Sequence, residues 1–232
     1  MDKSDVQETL VSLYLRLNGY FVSSFIVHAP KGATTEMDVL AVRFPSHQEP
    51  EREVQCCRHL AIPLNQIDFI VGEVKGGQRG AVNFNVRFRE NPGAIKTVLH
   101  RFGAFDEPEI FRVMAEVPEL LEPTNVRKAE TFPRLDVALS KQLGSGVGKL
   151  RFVPFAAEQE RPKAHTRSYL FTDDLLEFVW LCFRPEQQRR LCDDRYNYEL
   201  WGPQFAQMVQ YFKDQNRHAP GTIKDLYQEY GA

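Results

Sequence analysis

Residues 67–71 form a short run that is apolar on both faces of an extended chain, and this run constrains the fold most. A strand without a polar face is covered on both sides, as the central strand of a sheet is. A second apolar run, at residues 39–42, indicates another buried strand. We therefore expect an α/β protein with a mixed central sheet flanked by helices.

Charged residues stand at the ends of both runs. Glu36 and Asp38 lead into the run at 39–42, and Glu73 and Lys75 follow the run at 67–71. A charge at the end of a buried strand is costly unless it is paired or binds a metal. Side chains two positions apart on a strand point the same way. The spacing therefore predicts that Asp38, Glu73 and Lys75 meet at one place.

The composition excludes several classes of protein. The chain has 232 residues, of which 43% are hydrophobic and 26% charged, as in an ordinary folded protein. Its net charge of −2 disfavours a protein that holds nucleic acid by bulk electrostatics. No apolar run approaches the roughly 20 residues of a membrane span. Four scattered cysteines do not make a disulfide framework, so we expect a cytoplasmic protein.

The first 66 residues predict a helix, two strands and an insertion. Residues 4–18 have helical periodicity, and Ser4 is the expected N-cap. Apolar residues lie on two sides of this helix, so we expect other elements to pack on both of these sides. Glu8 lies on the second of these stripes. Residues 20–28 favour a strand, and the polar stretch 46–66 is an expected loop or hairpin inserted before the run at 67–71.

The rest of the chain predicts further strands and then helices. We expect strands at 82–88, 133–140 and 149–155, and helices at 91–100 and 108–121. From about residue 165 the composition becomes helical. The expected organisation is a core at 1–155 and a mainly helical C-terminal extension at 156–232.

The predicted cluster suits the hydrolysis of phosphodiesters. A hard divalent cation prefers oxygen ligands, and Asp38 and Glu73 from neighbouring strand ends are suited to hold one or two Mg²⁺ ions. Lys75 would sit beside the attacking water and stabilise developing negative charge. Glu8 would complete the outer shell or bind a second metal ion. The alternative is that Glu73 and Lys75 only pair with each other at a strand end.

These residues resemble the PD-(D/E)xK nucleases of restriction-endonuclease-like fold, closest to the branch of Holliday-junction resolvases and Mrr-type enzymes. The resemblance covers about the first 105 residues: Glu8 in a helix, the stretch 18–22, Asp38 before an apolar run, and Glu73-Val74-Lys75. The chain departs from the pattern in the wide separation of Asp38 and Glu73 and in lacking a proline before Asp38.

The resemblance implies a metal-dependent endonuclease that cleaves DNA, in defence or repair. It implies that Asp38, Glu73 and the backbone carbonyl of Val74 bind Mg²⁺, for which Mn²⁺ substitutes, and that Lys75 serves the water. Glu8 becomes the helix carboxylate of that family. A homodimer is a further expectation from the resemblance.

The loop after Lys75 carries candidate contacts to a nucleic-acid backbone. Loops beside active sites often position the substrate, and here the polar residues are Gln78, Arg79, Asn83 and Asn85. Two alternatives remain open at this point. The fold could serve as a non-catalytic binding or scaffold module in a larger complex, and RNA could replace DNA as the substrate.

Overall fold

Strand β3 (Asp68–Val74) is the central strand of the sheet, and all seven of its residues are buried. The computed structural model describes residues 1–28, 34–47, 49, 52–76, 84–121, 136–143, 146–160, 169–183, 196–214 and 222–231. The other described strands are β1 (Phe21–His28), β2 (Thr34–Arg43), β4 (Asp136–Leu143), β5 (Gly146–Ala156) and β6 (Leu170–Phe171). The described helices are α1 (Lys3–Leu17), α2 (Val86–Arg89), α3 (Pro92–Phe102), α4 (Glu107–Leu120), α5 (Thr172–Phe183), α6 (Pro203–Lys213) and α7 (Ile223–Tyr230).

The strands form one mixed sheet in the order β1-β2-β3-β5-β4, with β6 beside the end of β5. β3 runs antiparallel to β2 and parallel to β5, and the remaining neighbours in the main order are antiparallel. The expected α/β class with a mixed sheet flanked by helices is confirmed. β4 and β5, at the strands expected at 133–140 and 149–155, pair as an antiparallel hairpin, with Leu143 opposite Gly146.

Helices cover both faces of the sheet. On one face, α1 shares a hydrophobic cluster with α5, α6 and α7, and this cluster includes Val39, Ile70 and Phe155 from the strands. On the other face, α3 and α4 pack on Leu40 and Val71. Burial on both sides explains why the run at 67–71 carries no polar face.

α1 is buried on two sides, as its two apolar stripes predict, because the sheet and the C-terminal helices both contact it. Its expected start was wrong. Asp2, not Ser4, is the N-cap, and a reciprocal pair of hydrogen bonds with Asp5 forms a capping box. The Ser4 hydroxyl instead donates to Glu8 at 3.0 Å.

The expected strand at 82–88 is wrong for its described part. Residues 86–89 form the short helix α2, because the Asn85 side chain accepts the backbone N–H of Arg87 as an N-cap does. Phe84 and Phe88 are both buried four positions apart, which is a helical spacing. The helices predicted at 91–100 and 108–121 are confirmed as α3 and α4.

In its described residues, the insertion at 46–66 is a loop with one short 3₁₀ turn, Arg58–Leu60, and a partly buried arginine ties it to the sheet. The Arg151 guanidinium donates to Asp68 at 2.8 Å and to the Leu60 carbonyl at 2.7 Å. Tyr20 also donates to Asp68, whose side chain is fully buried. This network pairs the only acidic residue of the first half of β3 with a cation.

We expect Arg151→Ala to lower the free energy of unfolding by about 3–5 kcal/mol, because it leaves the Asp68 carboxylate buried without its cation. Urea denaturation followed by circular dichroism measures the change. Arg58→Ala is the control, because Arg58 is an exposed arginine in the loop that Arg151 contacts. Its free energy of unfolding is expected to stay within about 0.5 kcal/mol of wild type. A loss below about 1 kcal/mol in Arg151→Ala would contradict the assigned role.

In the described part of the last third, α5, α6 and α7 agree with the predicted helical composition. They pack on α1 in the hydrophobic cluster already described, which contains Leu175, Met208 and Leu226 from α5, α6 and α7. The division at residue 155 stays a prediction. None of the helices in the described ranges is long and apolar enough to cross a membrane.

Candidate active site

A β-bulge in β2 sets the direction of Asp38. Ser23 pairs with Leu40 and Phe25 pairs with Met37, so Asp38 and Val39 together face the single residue Ser24. A bulge shifts the alternation of the strand by one residue. Accordingly Met37 and Leu40 both belong to the cluster under α3 and α4. The Asp38 side chain lines a cavity beside α1.

The Asp38 carboxylate is held by the neighbouring strand. The pairing of β2 and β3 ends at Val39 and Gly72. Just beyond that point, the backbone N–H of Val74 donates to Asp38 Oδ2 at 2.6 Å. Burial raises the pKa of Asp38, although this hydrogen bond and the charge of Lys75 act in the opposite direction. Asp38 is therefore fixed at the point where the two strands separate.

Glu73 is almost entirely buried, with 2% of its surface exposed. Lys75 forms an ion pair with Glu73 Oε1, and the backbone N–H of Asn85 also hydrogen-bonds the carboxylate. The second oxygen, Oε2, is buried and has no hydrogen-bond partner in the described part of the chain. Burial raises the pKa of Glu73 to about 7, and the negative charge of Asp38 adds to the shift.

Lys75 links the buried carboxylate to solvent. Its backbone N–H donates to the Phe155 carbonyl at 2.9 Å, which holds the end of β3 against β5. Its side chain is 36% exposed, whereas that of Glu73 is 3% exposed. The ammonium thus lies at the mouth of the site, within reach of both Glu73 and solvent.

Glu8 approaches the site from α1, on the side of Asp38. It lines the same cavity as Asp38, with a volume of about 620 Å³. Burial raises the pKa of Glu8, and the charges of Asp38, Glu36 and Asp5 contribute. Asp38 acts electrostatically on both Glu8 and Glu73, so it lies near both glutamates.

The structure brings some of the predicted residues together and not others. Lys75 and Glu73 form an ion pair, and Asp38 interacts with both of them through its charge. Nowhere in the described ranges do three His, Cys, Asp or Glu side chains form a group able to hold a metal ion, so Glu8 does not join Asp38 and Glu73 as a third ligand. A metal ion at this site would be held by Asp38 and Glu73.

Three of the four candidate nucleic-acid contacts, Gln78, Arg79 and Asn83, lie outside the described residues. Asn85 is described. Its side chain caps α2, and its backbone N–H hydrogen-bonds Glu73. Asn85 thus supports both α2 and the carboxylate, and its contact to a nucleic-acid backbone stays a prediction. Asn85, three residues before the apolar Phe88, was the available sequence signal for this cap.

Sequence reasoning also missed a polar support beneath Gly76, the residue after Lys75. Gln7 on α1 is 5% exposed, and its side-chain amide donates to Tyr227 and, at 3.3 Å, to Glu158. Tyr227 donates to Glu158 at 2.7 Å. Gly76 packs on this amide so closely that an added Cβ would lie 2.8 Å from Gln7 Nε2. The C-terminal helix α7 therefore supports the chain beside Lys75.

The Asp38 and Glu73 pair fits a hard divalent cation. Mg²⁺ is held by one or two carboxylates with further ligands from water and substrate. Glu73 Oε2 is a buried oxygen without a hydrogen-bond partner within the described ranges, and a cation beside it would complete its coordination. The same cation would offset the repulsion between the two carboxylates that raises the pKa of Glu73.

The raised pKa of Glu73 predicts a pH-dependent stability of the metal-free protein. The folded state binds the proton more tightly than the unfolded state, so stability is lost as the pH rises from about 4.5 to about 7. Glu73→Gln removes this titration. As the pH rises through this window, the free energy of unfolding of Glu73→Gln minus that of wild type is expected to increase by at most about 3 kcal/mol.

Urea denaturation in EDTA at pH 5 and pH 8 measures this difference. Glu90→Gln is the control, because the side chain of Glu90 is 67% exposed and its surface ion pair contributes little. A stability difference between wild type and Glu73→Gln that does not change with pH would show that Glu73 ionises normally.

No protein-family model, curated protein or solved structure matches this chain. The interpretation of the site therefore depends on the geometry of its own residues.

Proposed function

We propose that the chain is a Mg²⁺-dependent endonuclease that hydrolyses phosphodiester bonds in DNA, with a site of the PD-(D/E)xK type in a restriction-endonuclease-like core. The observation that carries the proposal is the buried Glu73, with one oxygen paired to Lys75 and the other without a partner in the described chain, beside the anchored Asp38. A buried carboxylate with one oxygen still available is suited to bind a cation.

Each residue has a role in the proposed reaction. Asp38 and Glu73 hold the ion, and the Val74 carbonyl, between Glu73 and Lys75 in sequence, is the third proposed ligand. When bound, Mg²⁺ supplies a Lewis acid that polarises the phosphate and activates water. Lys75 orients the attacking water and stabilises the negative charge that develops as the phosphorus–oxygen bond breaks. Glu8 contributes negative charge from the side of α1.

The order of the elements also supports the proposal. A helix bearing Glu8 precedes the antiparallel pair of β1 and β2, and Asp38 on β2 adjoins Glu73 at the end of the central strand. This order agrees with the family pattern over the N-terminal region. The long connection between Asp38 and Glu73 is the 46–66 loop, which leaves the pairing of β2 and β3 intact.

Plasmid cleavage tests the proposal. We expect the protein to nick supercoiled plasmid or cut single-stranded circular DNA in Mg²⁺ or Mn²⁺, and to be inactive in EDTA. Absence of metal-dependent cleavage on both DNA forms and on a single-stranded RNA of matched sequence would refute the nuclease assignment. Cleavage of the RNA alone would correct the substrate to RNA.

A non-catalytic scaffold is the second candidate. The Glu73–Lys75 ion pair favours it, since each charge already has a partner without a metal. The two candidates differ in metal binding. A scaffold with an internal ion pair would show no Mn²⁺-dependent rise in melting temperature, whereas the nuclease proposal requires one.

A further inference from the structure

The segment that forms α2 and α3 is basic, although the whole chain has a net charge of −2. Residues 84–102 contain one acidic residue, Glu90, against four arginine or lysine residues: Arg87, Arg89, Lys96 and Arg101. Arg89 pairs with Glu90 at 3.2 Å. Lys96 pairs with Glu107 of α4 at 2.9 Å. The remaining positive charge of the segment is therefore carried by Arg87 and Arg101.

Arg87 and Arg101 are both exposed. Within the described residues, neither guanidinium forms a hydrogen bond or an ion pair. The Arg101 guanidinium lies 5.3 Å from the centroid of the Phe25 ring on β1, and this cation–π contact orients it. A guanidinium offers a planar set of donors that matches a phosphate group. An exposed arginine that no acidic side chain neutralises is therefore a suitable contact for a phosphate.

Arg87 lies beside Glu73. Glu73 is on the same face of β3 as Val71, which belongs to the hydrophobic cluster that also contains Phe88 of α2. Asn85 connects the two charged residues, because its backbone N–H hydrogen-bonds the Glu73 carboxylate and its side chain accepts the backbone N–H of Arg87 at 3.0 Å. Phe88 is fully buried, so α2 is held on the sheet at this point.

Arg101 lies on the same face of the sheet, on the side of Asp38. Phe25, the ring that its guanidinium contacts, packs in the hydrophobic cluster under α3 and α4. Phe25 pairs with Met37, which directly precedes Asp38. Arg87 and Arg101 thus lie on one face of the sheet, at the end that carries the candidate site, with the length of α3 between them.

These surroundings suit the backbone of duplex DNA. Single-stranded nucleic acid is held by aromatic rings on which its bases stack. On α2 and α3 the aromatic rings are not exposed, because Phe88 is buried and Phe102 is half-buried. Duplex DNA presents continuous rows of phosphates, and cations that contact them position the duplex without reading its sequence.

We infer that Arg87 and Arg101 bind the phosphate backbone of duplex DNA, one beside Glu73 and the other on the side of Asp38, so that the duplex lies across the two ends of the α2–α3 segment. The inference rests on the proposed function for the choice of DNA as the ligand, but the contacts themselves do not require cleavage. Two phosphate contacts give a shallow salt dependence, which agrees with the low net charge.

Fluorescence anisotropy with a short labelled DNA duplex tests the inference. Binding is measured in EDTA over a series of NaCl concentrations, so that no divalent cation competes for the phosphates. A plot of the logarithm of the binding constant against the logarithm of the salt concentration loses about 0.9 of its slope for each phosphate contact removed. We expect a loss of about 0.9 in Arg87→Ala and in Arg101→Ala, and of about 1.8 in the double variant. Two duplexes of unrelated sequence should give the same losses.

Arg58→Ala is the matched control. Arg58 is likewise an exposed arginine, but its 3₁₀ turn lies near the opposite end of β3, where the Leu60 carbonyl accepts from Arg151 and Arg151 pairs with Asp68. Arg58→Ala should keep the wild-type slope. Arg87→Lys retains the charge and should keep most of the slope, which separates a phosphate contact from a structural role.

Four outcomes would overturn the inference: no binding of the duplex, unchanged slopes in Arg87→Ala and Arg101→Ala, an equal loss in Arg58→Ala, or tighter binding of a single strand than of the duplex. In each of these cases metal-dependent nicking would still support the proposed function. Slopes that depend on the two arginines, without any cleavage, would support these contacts and refute the nuclease.

Discussion

Lys75→Ala is expected to abolish Mg²⁺-dependent cleavage while leaving the fold intact. Lys75 is the cation paired with Glu73 at the mouth of the site, and its side chain is 36% exposed, so its removal creates little cavity. Loss of a group that stabilises charge in the transition state costs about 10²–10³ in rate. Nicking of supercoiled plasmid measures the activity, and circular dichroism verifies the fold.

Lys96→Ala is the matched control. Lys96 is also 36% exposed and also pairs with a glutamate, Glu107, but it lies on α3 away from the site. Lys75→Ala also removes the partner of Glu73, whose pKa Lys75 lowers, so activity should be measured again at pH 9, well above the pKa of about 7 that Glu73 has with Lys75 in place. Recovery at pH 9 would mean that Lys75 only keeps Glu73 charged. Undiminished cleavage at neutral pH would refute any catalytic role for Lys75.

Asp38→Asn is expected to remove the stabilisation of the fold by Mn²⁺. An ion present at 100 times its dissociation constant stabilises the protein by about 2.7 kcal/mol. For a chain of this size that corresponds to a rise of roughly 5–10 °C in melting temperature. The asparagine keeps an oxygen that accepts the Val74 N–H, so the metal-free fold should persist, whereas the negative charge that attracts the ion is lost.

Differential scanning fluorimetry with and without Mn²⁺ measures the effect. Glu36→Gln is the control, because Glu36 is an exposed carboxylate two residues from Asp38 on the same strand. It should keep most of the Mn²⁺ shift. An equal shift in wild type and Asp38→Asn would show that the ion binds elsewhere, and the absence of a shift in wild type would favour the scaffold.

The sequence predicted the elements whose signals are local. The apolar run at 67–71 indicated a central strand, and the two stripes of α1 indicated a helix covered on both sides, because burial on a face is recorded directly in residue spacing. The start of α1 was misplaced by two residues, since Asp2 and Ser4 are both good caps and only the fold decides between them. Residues 82–88 alternate like a strand, but the cap at Asn85 starts a helix at 86.

The sequence predicted which residues belong to the candidate site but not how they are arranged. The positions of Asp38, Glu73 and Lys75 follow from the ends of two strands. The bulge at Asp38 depends on the register between β1 and β2, which no residue near Asp38 specifies. Three supporting contacts join residues that are distant in sequence. Val74 donates to Asp38, the backbone N–H of Asn85 hydrogen-bonds Glu73, and Gln7 with Tyr227 supports Gly76. Long-range contacts of this kind leave no periodic pattern.

The packing of α5, α6 and α7 on α1 has a consequence for biosynthesis. α1 completes its hydrophobic cluster only after more than 200 further residues have been translated, because Leu226 and Tyr227 belong to that cluster. Until then the carboxamide of Gln7 lacks Tyr227, and Gly76 lacks the support of that pair. Part of the apolar surface of α1 therefore stays uncovered during synthesis, and this part is a binding surface for chaperones.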